Sequence, residues 1–293
     1  MDKRSDRYKV SKLKIILTIL ISILILILCI FIWSRFVSTS GLSVNEHKII
    51  DEKLPTSFNG LKIVHISDIH YGTTVDNKKL EKIVSQINLI NPDLVLFTGD
   101  LIDKNTDITD TLIKEISKSL NNINSKYGKY AIKGEQDYES DSIIEIMQNS
   151  DFNILDNSYD LIFNEYNDSI YLGGLSSSIK ASIDIDKALE YFNNENANKD
   201  IFSVVMMHEP DNIGSLLDKK NINLVLAGHT HGGQIRLPFL DGIMNMDDAE
   251  KYTDNYYKIS NTNFYISYGL GTTDYPFRFL NRPSINFYRI YSK

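Results

Sequence analysis

Residues 61–70 read Leu-Lys-Ile-Val-His-Ile-Ser-Asp-Ile-His, an apolar run that ends in two metal-ligand residue types, Asp68 and His70. Four further runs end in the same way. They are Leu94–Thr98 into Gly99 and Asp100, Tyr130–Lys133 into Gly134, Glu135, Gln136 and Asp137, Phe202–Met207 into His208, and Asn223–Ala227 into Gly228, His229, Thr230 and His231. Parallel strands of an α/β protein present the residues beyond their carboxyl ends to one crevice. Residues spread over more than half the chain are therefore expected to meet.

The segments between these runs support that architecture. Leu80, Ile83, Val84, Ile87 and Ile90 recur at helical spacing and stop at Pro92, and Leu112, Ile116, Leu120 and Ile123 repeat the pattern. A third helix is expected from about Ser140, capped by Asp141 or Ser142. The short runs Asn153–Leu155, Asp160–Phe163 and Ser169–Leu172 suggest antiparallel strands of a second sheet, followed by a helix near Ile183–Phe192. The class is α/β with α+β character.

From Ile15 to Trp33 the chain is apolar except for Thr18 and Ser22, and about 20 such residues span a bilayer core of about 30 Å. Lys3, Arg4, Arg7, Lys9, Lys12 and Lys14 precede it against Asp2 and Asp6, which places the N-terminus in the cytoplasm and the rest outside. A cleaved signal peptide shares the basic start, but its apolar centre is normally shorter. Cys29 follows Leu28 and so lacks the small residue of a lipobox. As the sole cysteine it also excludes an internal disulfide. The expected organisation is a cytoplasmic tail over 1–14, a membrane anchor over 15–33, a linker with an edge strand near Glu46–Ile50 over 34–56, and one domain over 57–293. Without the tail's six cations and two anions, the formal charge of −7 becomes about −11. Nucleic acid is an unsuitable partner for such a surface.

In an extended segment Asp68 and His70 share a face, and so do His229 and His231. Carboxylate and imidazole together suit Zn, Mn or Fe rather than Ca. Each motif alone is weak, since a strand-end Gly-Asp is usually a turn and a buried His usually a core residue. Four of the six histidines at strand ends are harder to explain that way.

In order along the chain these residues resemble the calcineurin-like metallophosphoesterases: Asp68 and His70, then Gly99, Asp100 and Asp103, the box Gly134–Asp137, His208, and Gly228, His229 and His231. The tract from Ala227 to Pro238 and Gly269–Thr273 look like the membrane-associated bacterial branch, which acts on cell-envelope phosphates and UDP-diacylglucosamine. The resemblance implies two mixed β-sheets sandwiched between helices in four layers, preceded by one transmembrane helix. It implies a phosphoester or pyrophosphate hydrolase with two divalent ions, acting on a phosphorylated small molecule or lipid-linked substrate. One ion would take Asp68, His70 and His231, the other Glu135, His208 and His229, with Asp100 bridging. Ions about 3.5–4 Å apart would hold a bridging hydroxide as nucleophile. Asp103 would orient a ligand and Arg236 would meet a phosphate oxygen. The plainer alternatives are a turn Asp and a solvated loop Arg.

The third box departs from the family pattern of Gly-Asn-His-Asp/Glu at two positions. Glu135 replaces the amide ligand, so two divalent ions, three carboxylates and a hydroxide sum to about zero charge. Gln136 replaces a His and cannot pass a proton near pH 7, where general acid catalysis contributes about 10²–10⁴-fold. A good leaving group such as a pyrophosphate would suffer least. The alternative is a metal-binding pseudoenzyme that recognises a phosphorylated envelope ligand without turnover. Specificity is expected in the loops 235–254 and 272–283, where Tyr275, Phe277 and Phe279 would pack in the core or line an acyl pocket.

Overall fold

A computed structural model describes residues 3–237, 242 and 246–293, with side chains from residue 12 onward. The tail cations Lys3, Arg4, Arg7 and Lys9, with Asp2 and Asp6, and much of the loop 235–254 lie outside the described side chains. Helix α1 (Lys3–Ile32) opens the chain. Two sheets are built from β1 (Ser43–Asp51), β2 (Leu61–Ile66), α2 (Asn77–Ile90), β3 (Leu94–Phe97), α3 (Asp110–Asn121), β4 (Lys129–Ala131), α4 (Ser142–Asn149) and β5 (Phe152–Ile154). The second half adds β6 (Ser158–Phe163), β7 (Ser169–Gly174), α5 (Ile185–Ala188), β8 (Ser203–Met206), α6 (Ile213–Lys219), β9 (Leu224–Ala227), β10 (Tyr256–Ile259), β11 (Thr262–Ile266) and β12 (Ser284–Ser292).

The first sheet runs β1-β12-β2-β3-β4-β5 and the second β10-β11-β9-β8-β7-β6. Both are mixed. In the first, β12 pairs antiparallel with β2 while β2 to β5 are parallel, and in the second β7, β8, β9 and β11 are parallel. Alternation along each strand assigns its side chains to layers. Val64, Ile66, Val95 and Phe97 pack on α2, α3 and α4, whereas Ile63, Leu94 and Leu96 face Val204, Met206, Leu224 and Leu226 of the other sheet. Val205 and Val225 in turn pack under α6, with Ile213 and Leu216. Helix, sheet, sheet and helix thus form four layers, and the strands that carry the motifs run side by side at the centre of each sheet.

Several local expectations change. The strand Phe152–Ile154 joins the first sheet, parallel to β4, because Leu155 N–H donates to Ala131 O across that edge. Of the three expected strands, β6 and β7 form an antiparallel pair at one edge of the second sheet. Asp141 occupies the N-cap of α4 without a side-chain bond, and the Ser140 hydroxyl accepts from Ser142 N–H instead, at 3.2 Å. The helix expected over Ile183–Phe192 divides into α5 and a 3-10 turn, Glu190–Asn193.

The segment after the apolar run is more ordered than a linker. Lys12–Val37 is helical, long and apolar enough to cross a membrane, and its apolar side chains are exposed. Its last turn, Trp33–Val37, is a π-helix. There the Ser34 hydroxyl donates to Arg278 O at 2.9 Å and Arg278 N–H donates to Ser34 O at 3.2 Å. Phe31 packs against Phe277 with ring centroids 4.8 Å apart, and Trp33 meets Phe279 edge-on at 5.6 Å. Two rings of the aromatic trio therefore pack on the apolar helix rather than in the core or an acyl pocket, while Tyr275 is 65% exposed.

Candidate metal centre

Each motif residue sits just past its strand, and the backbone there turns sharply. Asp68, His70, Asp100, His229 and His231 all have positive φ, between 41° and 69°. A non-glycine residue held this way costs about 1–3 kcal/mol, so the surrounding structure must over-determine it. It does so by cross-strand bonds: Asp68 N–H donates to Gly99 O, Ile69 N–H to Asp100 O and Tyr71 N–H to Leu101 O, all at 2.8–2.9 Å. The His229 amide closes the circuit from the second sheet by donating to Asp68 Oδ1 at 3.0 Å. Period-two spacing thus selects the right residues through the wrong geometry. Asp68 and His70 converge by left-handed turns, not along an extended strand.

The seven proposed ligands meet in one place. Ligand atoms of Asp68, His70 and His231 lie within 4.8 Å of one another, as do those of Glu135, His208 and His229. Asp68, Asp100 and His208 form a third such group that links the two. Asp100 Oδ2 stands 3.6 Å from His70 Nε2 and 3.6 Å from His208 Nε2. Glu135 Oε2 is 2.7 Å from His208 Nε2 and 3.1 Å from His229 Nδ1. All are buried except Glu135, whose side chain is 18% exposed and marks the open side.

Electrostatics separate the two halves. Burial pulls the pKa of His70 and His231 below the usual imidazole value, and the neighbouring ring and Arg278 reinforce this for His231. Burial opposes protonation of His208 and His229 too, but Asp100 and Glu135 outweigh it and hold both values up. Asp100 is pushed well above the ordinary carboxylate range by burial and then by Glu135. Burial alone would raise Glu135, yet His208 and His229 hold it down.

The donor set fits divalent ions. His70 Nε2 and His231 Nε2 point at each other from 3.0 Å, where two imidazoles can share at most one proton. His208 donates from Nδ1 to Thr98 O at 2.5 Å, which leaves Nε2 to face Glu135 Oε2 at 2.7 Å, where a divalent ion could take the place of the proton between them. Such a bond to the far nitrogen is how a ligating imidazole is usually oriented. Three carboxylates with four imidazoles match Mn, Fe or Zn. Adding Mn at about 100 times its dissociation constant is expected to stabilise the protein by about 2.7 kcal/mol, reversed by a chelator and read as a shift in Tm. No shift would speak against a metal site.

The supporting residues were partly legible. Asp103 Oδ1 accepts from Asn105 N at 3.0 Å, a turn role, while Oδ2 lies 4.0 Å behind His70 Nδ1. Gln136 is fixed at the rim: its Oε1 accepts from Lys104 N–H at 2.9 Å, Nε2 donates to Thr273 Oγ1 at 3.4 Å, and its own N–H donates to Asp100 Oδ1 at 3.0 Å. Arg236 differs from the expected phosphate contact. Both terminal nitrogens are engaged by the domain itself, one by Asp254 Oδ1 and the other by the Tyr268 hydroxyl, each at 2.7 Å.

Two further residues complete the frame, Asp137 of the third box and Arg278, which no sequence motif marks. Asp137 accepts from the amides of Asp100, Leu101 and Gly134 at 2.7–2.9 Å, tying the third box to the second. Arg278 is wholly buried, donates to the carbonyls of Tyr268, Gly269 and Gly271, and lies 3.4 Å from His231 Nδ1. Burial lowers its pKa to about 10, against the pull of Asp68. Arg278→Met leaves the carbonyls of Tyr268 and Gly271 unsatisfied and is expected to cost about 3 kcal/mol in a denaturant melt. A loss below about 1 kcal/mol would remove Arg278 from the frame.

Comparison with known proteins points to one family. A family model for calcineurin-like phosphoesterase matches residues 61–233. An uncharacterised metallophosphoesterase of Bacillus subtilis is 31% identical over 89% of this chain and 89% of its own length. A transmembrane protein with metallophosphoesterase domain from Danio rerio is 31% identical over 81% of this chain but only 56% of its own. The UDP-2,3-diacylglucosamine pyrophosphatase LpxG of Chlamydia muridarum is 24% identical over 71% of this chain and 75% of its own.

Proposed function

The chain belongs to the calcineurin-like phosphoesterase family of phosphoester hydrolases, and from that premise we propose that it cleaves a phosphoester or pyrophosphate of a lipid-linked envelope substrate. The observation that carries this reading is the place of Asp100, midway between His70 and His208 at 3.6 Å from each. Asp68, His70 and His231 would hold one divalent ion and Glu135, His208 and His229 another, with Asp100 serving both. Bound there, the ions would supply a hydroxide nucleophile near neutral pH and offset phosphoryl charge.

The remaining steps belong to the protein. Asp103 Oδ2, 4.0 Å behind His70 Nδ1, would favour a proton on that nitrogen and leave Nε2 for an ion. Gln136, held by Lys104 and Thr273, can direct an amide N–H at a phosphoryl oxygen but has no proton to give the leaving oxygen. That favours an anhydride, whose leaving phosphate departs unprotonated. The name of the Chlamydia relative, a pyrophosphatase of a diacylated sugar nucleotide, supports the same substrate class. The apolar helix supports a single membrane pass over 15–33, with residues 1–14 cytoplasmic and the domain 57–293 outside. Protease added to intact spheroplasts should then digest the domain; survival would reverse the orientation. Purified full-length chain loaded with Mn should turn over a diacyl-sugar nucleotide pyrophosphate with kcat/KM at least about 10²-fold above an alkyl phosphomonoester. Equal rates, or none on either, would overturn this reading.

A further inference from the structure

We propose that the hollow at the foot of α1 is a binding site for the phosphodiester headgroup of an anionic phospholipid. The hollow, about 330 Å³, lies between the π-helical exit of α1 and the first turns of α2. Three cations line it, Arg35, Lys78 and Lys82, beside Lys79, whose pKa burial lowers to about 7, against the single carboxylate of Asp76. They gather on a globular part whose formal charge is about −11. Arg35, Lys78 and Lys82 enter no salt bridge among the described residues. Asp76 is already engaged, since it caps α2 by accepting from Lys79 N–H at 2.8 Å.

Lys79 holds the two walls together. Its Nζ donates to Thr39 O at 2.6 Å on the helix exit and to Thr74 O at 3.2 Å on the α2 side. The hollow is thus built by the fold and not by chance proximity of surface chains. Its depth selects the ligand. Arg35 lies two residues past Trp33, where the apolar run ends, and Phe36 beside it is 61% exposed. If α1 spans the bilayer, the mouth lies at headgroup level with Phe36 turned to the acyl region. Basic side chains at that level draw anionic headgroups with a strength that grows with each cation. The inference rests on α1 as a membrane span and is independent of the catalytic reading.

The test uses full-length protein in neutral detergent, titrated with phosphatidylglycerol, phosphatidylcholine or inorganic phosphate and read by native mass spectrometry. One phosphatidylglycerol should be retained at least about tenfold more tightly than phosphatidylcholine. The Lys78→Glu/Lys82→Glu variant should lose that preference with an unchanged Tm, while Lys114→Glu/Lys118→Glu, on exposed α3 positions, should keep it. Equal retention of the two lipids, an unaffected double variant, or displacement by equimolar inorganic phosphate would overturn the proposal. Flotation on phosphatidylcholine vesicles reads the anchor separately. A chain that fails to float loses the span and this site with it, whereas one that floats without anionic preference loses the site alone.

Discussion

Asp100→Ala is expected to lower kcat/KM by at least about 10³-fold, roughly 4 kcal/mol of transition-state stabilisation. Asp100 stands at 3.6 Å from an imidazole of each half and is the ligand proposed to serve both ions, so its loss should also reduce bound metal from two ions to at most one by elemental analysis. Its removal should be mild for the fold. Burial and Glu135 already push the Asp100 carboxyl well above its usual range, so its ionised form is disfavoured without bound ions. The Gln136 amide loses its acceptor at 3.0 Å but lies at the rim, where water can replace it. A chelated Asp100→Ala protein should melt within about 1 kcal/mol of chelated wild type. Wild-type turnover by this variant would remove the two-ion reading, and a large drop in Tm would move Asp100 from catalysis to folding.

Gln136→His is the second large effect, and its sign is a gain. Lys104 N–H presently donates to Gln136 Oε1 at 2.9 Å. An imidazole could accept that bond at one nitrogen and leave the other to carry a proton toward the leaving oxygen. Hydrolysis of an alkyl phosphomonoester should rise by about 10²–10⁴-fold, while that of a pyrophosphate should change by less than about tenfold. The alkyl profile should also acquire a falling limb at high pH as the new imidazole deprotonates. Paired with Glu135→Asn, which restores one positive charge to the proposed site, the gain should grow. Equal gains on both substrates would mean that Gln136 limits something other than proton transfer.

The strand ends were legible because each motif succeeds a buried apolar run, and a central strand must deliver the next residues to its carboxyl end. What escaped was structure made by distant partners. Arg278 acts through backbone carbonyls of another segment, which leave no periodic trace in its own neighbourhood, and the place of Asp137 in the third box does not tell that it holds the amides of Asp100 and Leu101. The composition of Phe152–Ile154 points to the wrong sheet because a three-residue strand is identified by its neighbour, not by its residue types. His65 shows the limit from the other side. It lies inside β2, where the pleat turns it between the sheets to Thr98 and Tyr288, and burial lowers its pKa to about 3. A histidine just short of the strand end is a core residue, and one just past it faces the crevice.

The clasp between Ser34 and Arg278, with Phe31 on Phe277 and Trp33 on Phe279, joins the apolar helix to the loop that Arg278 ties to the metal-centre frame. The height of the cluster above the end of the helix is therefore fixed, not set by a swinging tether. For a substrate confined to the bilayer, encounter then becomes a planar search in which bulk concentration has no meaning. Diluting such a substrate with inert lipid at constant total amount should slow turnover in proportion to its mole fraction, as though the membrane itself were the reaction vessel.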